Sequence, residues 1–507
     1  MKDVIVIGGG VAGLVAARAC ARIGLSVTVL EATAALGGAV GSHEVAGLRL
    51  DSGAESFAVR RNAVAEFVDG LGLTDRIVAP NPAGAWLHLP DDRTPGGSLS
   101  VPLPKAGVLG IPGSPLADDV RRVIGWSGAL RAYLDRLMPV LTIGREHSLG
   151  ELVRKRMGRR VLDRLVEPVT TGVYSSSADD LEVDVVAPGL NSALTVTGSL
   201  SGAVLSLRSA APAGSAVAGL HGGMSSLVGA LVADLEHFGV QIETDAPVTA
   251  LRRAGSDEEP TWTVTRRPAA AMTATASTPA TAATPGDAAT PAADAAGPEP
   301  LDARFVIIAT PGAQALGLVA SLSPAHAALA ELAWPSPTAI ELATIVIDAP
   351  ELDANPRGTG ALVASGTPGV TAKALTHVTA KWEWVAAAAG PGRHVIRLSY
   401  GRAGQDSPTA ALSDQELLAL ALRDARTILG VDLDAGAVQG FARTVWGDAL
   451  SPATVGAPAR VTQVRELLAA TPGLELTGAW LAGTGLASVI PDALAAASRT
   501  RHAALGL

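Results

Sequence analysis

A single cysteine, Cys20, in 507 residues excludes a disulfide framework and any cysteine-rich metal site, and the usage fits a reducing compartment. Its Ala-rich surroundings make it an apolar helix thiol. The nine histidines show neither HxxxH nor HExxH spacing, so no structural or catalytic metal is expected. Aromatic residues are only 3% of the chain, which argues against a cage of aromatic faces around an ammonium ligand. No uninterrupted apolar run reaches the roughly 20 residues that cross a bilayer as a helix. Met1-Lys2-Asp3 passes straight into Val4-Ile5-Val6-Ile7, which leaves no room for a charged leader, and a cytoplasmic location is expected with peripheral membrane contact left open. A net charge of -9 gives no general attraction to nucleic acid, so none is expected as a partner. What the chain has is apolar mass: 48% hydrophobic against 17% charged residues, enough for more than one buried core.

The first segment reads strand, glycine turn, helix, strand: 4–7, 8–13, a helix to about 23, and 26–30. Both strands are nearly continuous apolar runs, as parallel strands covered on both faces should be. From 116 to 164 the pattern is mostly helical, with Val120, Ile124 and Leu130 interleaved with Arg121, Arg122, Arg131 and Arg136. Strand signals return at 240–243, 248–252, 262–265 and 305–308. Between 267 and 301 lies an Ala/Thr/Pro tract with hardly a large apolar side chain, expected to be a disordered insertion over 268–300 whose flanking strands pair without it. Strand-like segments at 339–347 and 394–400 and a helix at 415–429 imply a second, sheet-containing unit.

Gly8-Gly9-Gly10-Val11-Ala12-Gly13 satisfies G-x-G-x-x-G between a strand and a helix, where backbone can approach a pyrophosphate at the positive end of the helix. Gly8, Gly10, Val11, Ala12 and Gly13 are thus candidate dinucleotide contacts. Glu31 ends the next strand, where a carboxylate accepts from ribose hydroxyls and repels a 2′-phosphate. NADP is therefore disfavoured, while NAD and FAD share the fingerprint.

Three further pieces favour FAD. Leu36-Gly37-Gly38 resembles the double-glycine element that flavin amine oxidases set against the FAD pyrophosphate, with Ala39 in place of the usual basic residue. Phe305-Val306-Ile307-Ile308-Ala309-Thr310-Pro311 resembles the strand and Ala-Thr-Pro turn of the same flavoproteins. The third is Gly478-Ala479-Trp480-Leu481-Ala482-Gly483-Thr484-Gly485 followed by a helix carrying Val489 and Asp492. Such a loop can aim amides from Gly483, Gly485 and Val489 at the flavin N1/O2 edge. Val248 is the candidate for backbone contact with the adenine end.

Asp51-Ser52-Gly53-Ala54-Glu55-Ser56-Phe57, the block from Glu167-Pro168-Val169 through Gly172-Val173-Tyr174, and His221-Gly222-Gly223-Met224 resemble the porphyrinogen oxidases of haem synthesis, most of all the bacterial oxygen-dependent branch acting on coproporphyrinogen III. The resemblance spans most of 1–260 and 301–507. Trp446-Gly447-Asp448-Ala449-Leu450-Ser451-Pro452-Ala453 departs from it by lacking a tyrosine.

The resemblance implies an α/β fold: a Rossmann-like FAD-binding domain of the flavin amine oxidase type (1–75, 217–312 and 440–507), a mixed substrate domain (76–100, 200–216 and 313–439) and a helical subdomain (101–199). It also implies hydride transfer from a porphyrinogen to flavin N5, reoxidation by dioxygen to hydrogen peroxide, and a downstream haem-synthesis enzyme as partner. No catalytic base is assigned, because the flavin carries the chemistry. Gly172 matches the family glycine lying near the macrocycle; its alternative is a plain strand or turn glycine. Arg61, and less directly Arg60, are candidates to grip a substrate propionate, against a solvated-surface role. The run from Arg154 to Arg160 reads as a solvated helix face. Competing readings are protoporphyrinogen IX oxidation, another amine oxidase or carotenoid-type desaturase, and a non-catalytic FAD-bearing sensor.

Overall fold

The computed structural model describes residues 1–59, 62–91, 94, 96–105, 107–139, 145–209, 217–256, 259–267, 299–336, 338–447 and 453–506. Its first sheet has the order Gln241–Glu243, Val27–Leu30, Lys2–Ile7, Glu299–Ile308, Pro260–Arg266, Val248–Gly255, with Leu474–Leu476 also pairing Glu299–Ile308. Lys2–Ile7 lies parallel to both neighbours, Val4 opposite Val27 on one side and Phe305 on the other. Alternation then sorts the apolar run onto two cores. Val4, Val6, Val29 and Ile307 pack under the helices Val11–Ala21 and Leu486–Leu505, while Ile5, Ile7, Val306 and Ile308 pack against Leu316, Trp480 and Trp262. A strand buried on both faces has no polar face, which is why the sequence reads as unbroken Val and Ile.

Glu299–Ile308 does two jobs. Its first half forms an antiparallel hairpin with Pro260–Arg266, Arg266 opposite Glu299, and its second half runs parallel to Lys2–Ile7 and Leu474–Leu476. The strands flanking the Ala/Thr/Pro tract thus pair directly. Residues 268–298 lie outside the described residues, and residues 299–300, expected in the insertion, are strand instead.

The second sheet also has seven strands: Val438–Trp446, Ile340–Asp348, Arg393–Tyr400, Ala374–His377, Gly360–Val363, Trp86–Pro90 and Ser98–Pro102. Helix Asp414–Leu429, started by a Ser413/Glu416 capping box, covers one face through Leu417, Ala421 and Ile428. Two boundaries differ from expectation. Residues 440–446 belong to this sheet, pairing with Ile340–Asp348 as its half-exposed outer strand, and half-exposure erased the apolar signal that would have assigned them. Helix Leu200–Ser209 turns back at Gly198 (φ 74°) and buries Leu200, Ala203 and Val204 in the helical cluster with Leu149, Leu152 and Leu190.

That cluster is built from Asp118–Tyr133, Leu149–Met157, Glu167–Tyr174, Leu190–Thr197 and Leu200–Ser209. The basic run corrects the expectation at one residue. Arg156 is buried and ion-paired to buried Asp135 at 2.6 Å, and Asp135 also accepts from the Leu200 and Ser201 amides at 3.0 and 2.8 Å. A buried charge persists only when so compensated. Arg154 and Lys155 keep exposed pairs with Asp179 and Glu146. Among the described residues no single helix is long and apolar enough to cross a membrane.

Candidate active site

The glycine turn uses its glycines for different reasons. Gly8 sits at φ 107°, and a Cβ there would lie 2.8 Å from the Ala309 carbonyl oxygen. A Cβ on Gly13 would fall 1.9 Å from the Gly8 oxygen, so Gly13 lets the helix sit tight against the turn. Gly10 is the opposite case: a Cβ there would meet nothing within 4 Å, leaving backbone open beside the start of Val11–Ala21. That helix has no side-chain cap, and its first-turn N–H groups have no intrahelical partner. Open backbone at the positive end of a buried helix is a fit for an anionic group.

The separate pieces converge there. The Gly37 amide donates to the Gly9 oxygen at 2.8 Å, and a Cβ on Gly38 would stand 3.4 Å from the Gly10 Cα. Glu31 accepts from the Gly9 amide at 2.7 Å and from the Thr33 amide at 2.9 Å. Segment 243–246 lies along it, with Glu31 donating to the Glu243 oxygen and Ala246 to the Glu31 oxygen, which brings Val248, at a register irregularity opposite Arg266, near the same strand end. Ala309 follows on the other side, its amide on the Ile7 oxygen at 2.7 Å. Gly483 (φ 99°) and Gly485 (φ 95°) open Leu486–Leu505; a Cβ on Gly485 would meet nothing within 4 Å, and Val489 is buried against the Val11–Ala21 layer. Asp492 is engaged by Arg465 and Thr477, so it braces the helix. Two uncapped helix starts and two open glycines on adjoining pieces fit a dinucleotide with a ring system at its far end.

Asp51–Phe57 joins this cradle to the second sheet. The Ala54 amide donates to the Ala39 oxygen at 2.9 Å and Ser52 to Gly41 at 3.0 Å, and a Cβ on Gly53 would lie 2.2 Å from that Ala39 oxygen. Ala39 thus contributes its carbonyl, where the missing basic side chain was expected to matter. Glu55 is ion-paired with Lys381 and with Arg397, the latter at 2.7 Å, and Arg397 also donates to the Asp51 and Gly53 oxygens at 3.2 and 3.1 Å. Burial pushes the Glu55 carboxyl up, but Arg397 and Lys381 outweigh it and bring it to about 2. Asp51 goes the other way: burial raises it to about 6 despite Arg397 and its bonds to the Met224 and Ser225 amides. The Gly222-Gly223-Met224 turn therefore packs on Asp51, a Cβ on Gly223 lying 2.8 Å from its Oδ1.

Gly172 lies in helix Glu167–Tyr174, neither strand nor turn, and a Cβ on it would stand 2.5 Å from the Leu362 Cδ2 of the second sheet. Close helix-to-sheet approach accounts for the glycine at this point. Arg60 and Arg61 lie outside the described residues, as do 448–452 of the segment lacking a tyrosine, while Ala453 is buried and its oxygen accepts from Glu182 at 2.8 Å. No group of three or more His, Cys, Asp or Glu suited to a metal occurs among the described residues.

The sequence alone gives Glu55 no role and does not single out Arg397, Lys381, Lys373 or His377. One signal was available: Arg397 is a lone charge within the buried run Val395 to Leu398 of a strand, where only a paired charge survives. His377, fully buried, meets the His394 ring at 3.0 Å, and His394 reaches Asp353 at 2.9 Å. Burial and the neighbouring His394 lower His377 to about 3, so it is neutral.

Against known proteins, residues 11–500 match the family described as flavin containing amine oxidoreductase. The chain is similar to the coproporphyrinogen III oxidase of Bacillus subtilis (26% identical, covering 98% of this chain and 97% of that one) and to that of Mycobacterium tuberculosis (29%, 98% and 96%). Among solved structures it resembles a provisionally named protoporphyrinogen oxidase from Exiguobacterium (TM-score 0.77, 25% identical, covering 100% and 99%). It also shares its fold with putrescine oxidase bound to putrescine (TM-score 0.60, 15% identical, covering 100% and 99%). The expected α/β architecture, a Rossmann-like nucleotide-binding unit joined to a mixed sheet and a helical part, is the observed one.

Proposed function

The chain belongs to the flavin-containing amine oxidoreductase family and is a flavin-dependent oxidoreductase, and from that premise we propose that it holds non-covalent FAD and oxidises a porphyrinogen, coproporphyrinogen III in preference, with dioxygen as acceptor. The observation that carries FAD is the junction of Gly8–Gly13, Glu31, Gly37-Gly38 and the Gly483–Gly485 helix start around open backbone at Gly10 and Gly485. Gly10, Val11, Ala12 and Gly13 would face the pyrophosphate, Glu31 the ribose, Val248 the adenine end, and Gly483, Gly485 and Val489 the ring. Cys20, the only cysteine, is buried in the helix Val11–Ala21 with its thiol pushed up to about 12 by burial, which disfavours a thioether to the flavin.

The substrate reading rests on the full-length likeness to enzymes named coproporphyrinogen III oxidase and on the sequence blocks that carry the same resemblance. When bound, the flavin supplies hydride acceptance at N5 and passes the electrons to dioxygen. Complete aromatisation of the macrocycle removes six electrons and six protons, reducing three dioxygen molecules to three of hydrogen peroxide. The protein's part is orientation and charge. The Glu55–Arg397–Lys381 cluster fixes the segment that spans cradle and sheet, Gly172 lets its helix close on Leu362, and Arg61, with Arg60, is the candidate grip on a propionate. Transient contact with a membrane surface or with the next enzyme of haem synthesis belongs to the same proposal.

The test is anaerobic. Purified protein should be yellow, release FAD on denaturation, and bleach when given coproporphyrinogen III. Bleaching by protoporphyrinogen IX alone would favour the second reading, to which the likeness to the Exiguobacterium structure points. No bleaching by either porphyrinogen, with bleaching by an amine or an isoprenoid, would replace the substrate class and keep the family.

A further inference from the structure

Two cations, Lys373 and Arg402, lie between helix Glu167–Tyr174 and the second sheet with one carboxylate near them, Glu167, which acts on Arg402 without a direct ion pair among the described residues. Lys373, just ahead of strand Ala374–His377, is 2% exposed, and its ammonium donates to the Ser175 hydroxyl. Ser175 closes the helix in a left-handed conformation (φ 56°) and its carbonyl accepts from the Ala403 amide at 2.7 Å. Beside Ala403, Arg402 has a buried Nε with no hydrogen-bond partner. The two are close enough that Arg402 disfavours the charged form of Lys373, which burial has already brought down to about 7.

The neighbouring acids offset this only in part. Glu167 favours the charged form of Arg402 but is itself tied to the Ala178 amide at 2.9 Å, with burial raising its carboxyl. Asp424 accepts from the Thr371 and Ala372 amides at 3.1 and 2.8 Å, holding the loop that delivers Lys373. The C-terminal end of helix Glu167–Tyr174 offers the ammonium about half a negative charge at most, less than a formal anion. Two like charges against one carboxylate leave a cation in excess under cover, which is unfavourable unless a further anion joins them. The fold spends a glycine nearby: Gly172 stands three residues before Ser175, about 4.5 Å along the axis, where it lets the helix approach the sheet at Leu362.

We propose that Lys373, Arg402 and the Ser175 hydroxyl form a subsite for one carboxylate side chain of the substrate. The assignment rests on the porphyrinogen reading and deepens it, by naming residues that favour a substrate with more carboxylates. A guanidinium and an ammonium on one carboxylate supply several charge-assisted donors, and Ser175 keeps the ammonium aimed when the site is empty.

The rival account is that Lys373 merely caps the helix, and the two accounts differ in sign. A capping lysine replaced by Met lowers the melting temperature and leaves ligand affinity alone. An uncompensated buried lysine replaced by Met keeps or raises the melting temperature, while the ligand loses a partner. The experiment uses the holoenzyme and the Lys373→Met and Arg402→Gln variants. It measures melting temperature, binding of the fluorescent products coproporphyrin III and protoporphyrin IX, and steady-state constants for coproporphyrinogen III.

Each variant should weaken coproporphyrin III binding about tenfold to a hundredfold. KM should rise accordingly with kcat within a few-fold, protoporphyrin IX binding should change less, and Lys373→Met should melt no lower than the wild type. Should Lys373→Met fail to fold, Arg402→Gln, at a half-exposed position, carries the same expectation. Unchanged coproporphyrin affinity in the variants overturns the subsite while the porphyrinogen reading stands. A wild-type holoenzyme that binds neither porphyrin overturns both.

Discussion

Gly10 and Gly13 are three residues apart in one motif, yet the structure gives them opposite consequences. Gly13→Ala forces a methyl to 1.9 Å from the Gly8 oxygen, and overpacking of that kind costs about 1 to 3 kcal/mol or more. Gly10→Ala meets nothing in the protein and has an ordinary φ of -70°, so the apoprotein should keep its stability to within about 0.5 kcal/mol. Its methyl would instead occupy the space proposed for the pyrophosphate. Flavin content per chain and apoprotein melting temperature separate the two: Gly13→Ala should lower both, Gly10→Ala flavin content alone. Stoichiometric FAD in Gly10→Ala would remove the pyrophosphate from that place. Glycine spacing was legible in the sequence because its backbone demand is local. The Glu55 cluster was not, because Lys381 and Arg397 reach Glu55 from strands and helices more than three hundred residues away.

Asp51 and Glu55 lie four residues apart and titrate in opposite directions, which fixes the sign of their pH dependence. For Asp51 the folded value, about 6, lies above the ordinary 3.8, so the native state binds more protons across that window and stability from this group falls as pH rises from about 4 through 6. For Glu55, folded at about 2 against 4.5, the contribution is complete above 4.5 and is lost as pH falls through 2. Asp51→Asn keeps an acceptor for the Met224 amide and removes the first effect. Its stability relative to the wild type should increase between pH 4 and 6, by on the order of 2 kcal/mol. Denaturant titrations at the two pH values check this, and a difference that stays flat would mean that the Asp51 carboxyl titrates near its ordinary value.

At the scale of elements, the hairpin around the Ala/Thr/Pro tract makes a deletion prediction. Arg266 and Glu299 are paired partners, and Arg266 also forms ion pairs to Glu243 and Glu299 at 3.2 and 3.0 Å, so the strand ends are held without help from the tract. Replacing 270–297 by a short glycine-serine link should leave flavin content and melting temperature nearly unchanged, since loop length enters stability only logarithmically. Loss of soluble protein would show that the tract is structural. Strands and helices with a buried face were readable from their periodicity, Asp414–Leu429 and Arg393–Tyr400 within a residue of expectation. The misread pieces share a cause. Val438–Trp446 and Leu200–Ser209 join their partners through contacts remote in sequence, and neither periodicity nor composition records which sheet or cluster an element will join. Likewise Arg156 sits in a run of exposed cations and is told apart only by Asp135, on a different helical turn.

For the whole molecule, the question that follows from the proposed porphyrinogen reading is which porphyrinogen is preferred, and charge decides the direction. Coproporphyrinogen III carries four propionates, whereas protoporphyrinogen IX carries two propionates and two vinyl groups. The chain as a whole is acidic, at -9, so a tetra-anionic ligand is not drawn in by the general field and must be favoured by local cations. Lys373 and Arg402 lie beside the helix that carries Gly172, with Glu167 as a single carboxylate acting on Arg402, and Arg61 is the sequence-based candidate for a second contact. Each additional carboxylate held by charge-assisted bonds contributes about 1.5 to 3 kcal/mol, so a preference of roughly tenfold to a hundredfold in kcat/KM for coproporphyrinogen III is expected. Arg61→Ala should raise KM by a similar factor with flavin content intact. Porphyrinogens are colourless and the aromatised products fluoresce, so both substrates can be followed in one aerobic assay, with hydrogen peroxide rising threefold on a molar basis with product. Salt should erode the preference in part, through Arg402 at its half-exposed position more than through buried Lys373, because exposed charges are screened within about 8 to 10 Å and buried ones much less. A higher kcat/KM for protoporphyrinogen IX, insensitive to salt, would mean that apolar contacts with the vinyl groups outweigh these cations and would reverse the substrate assignment.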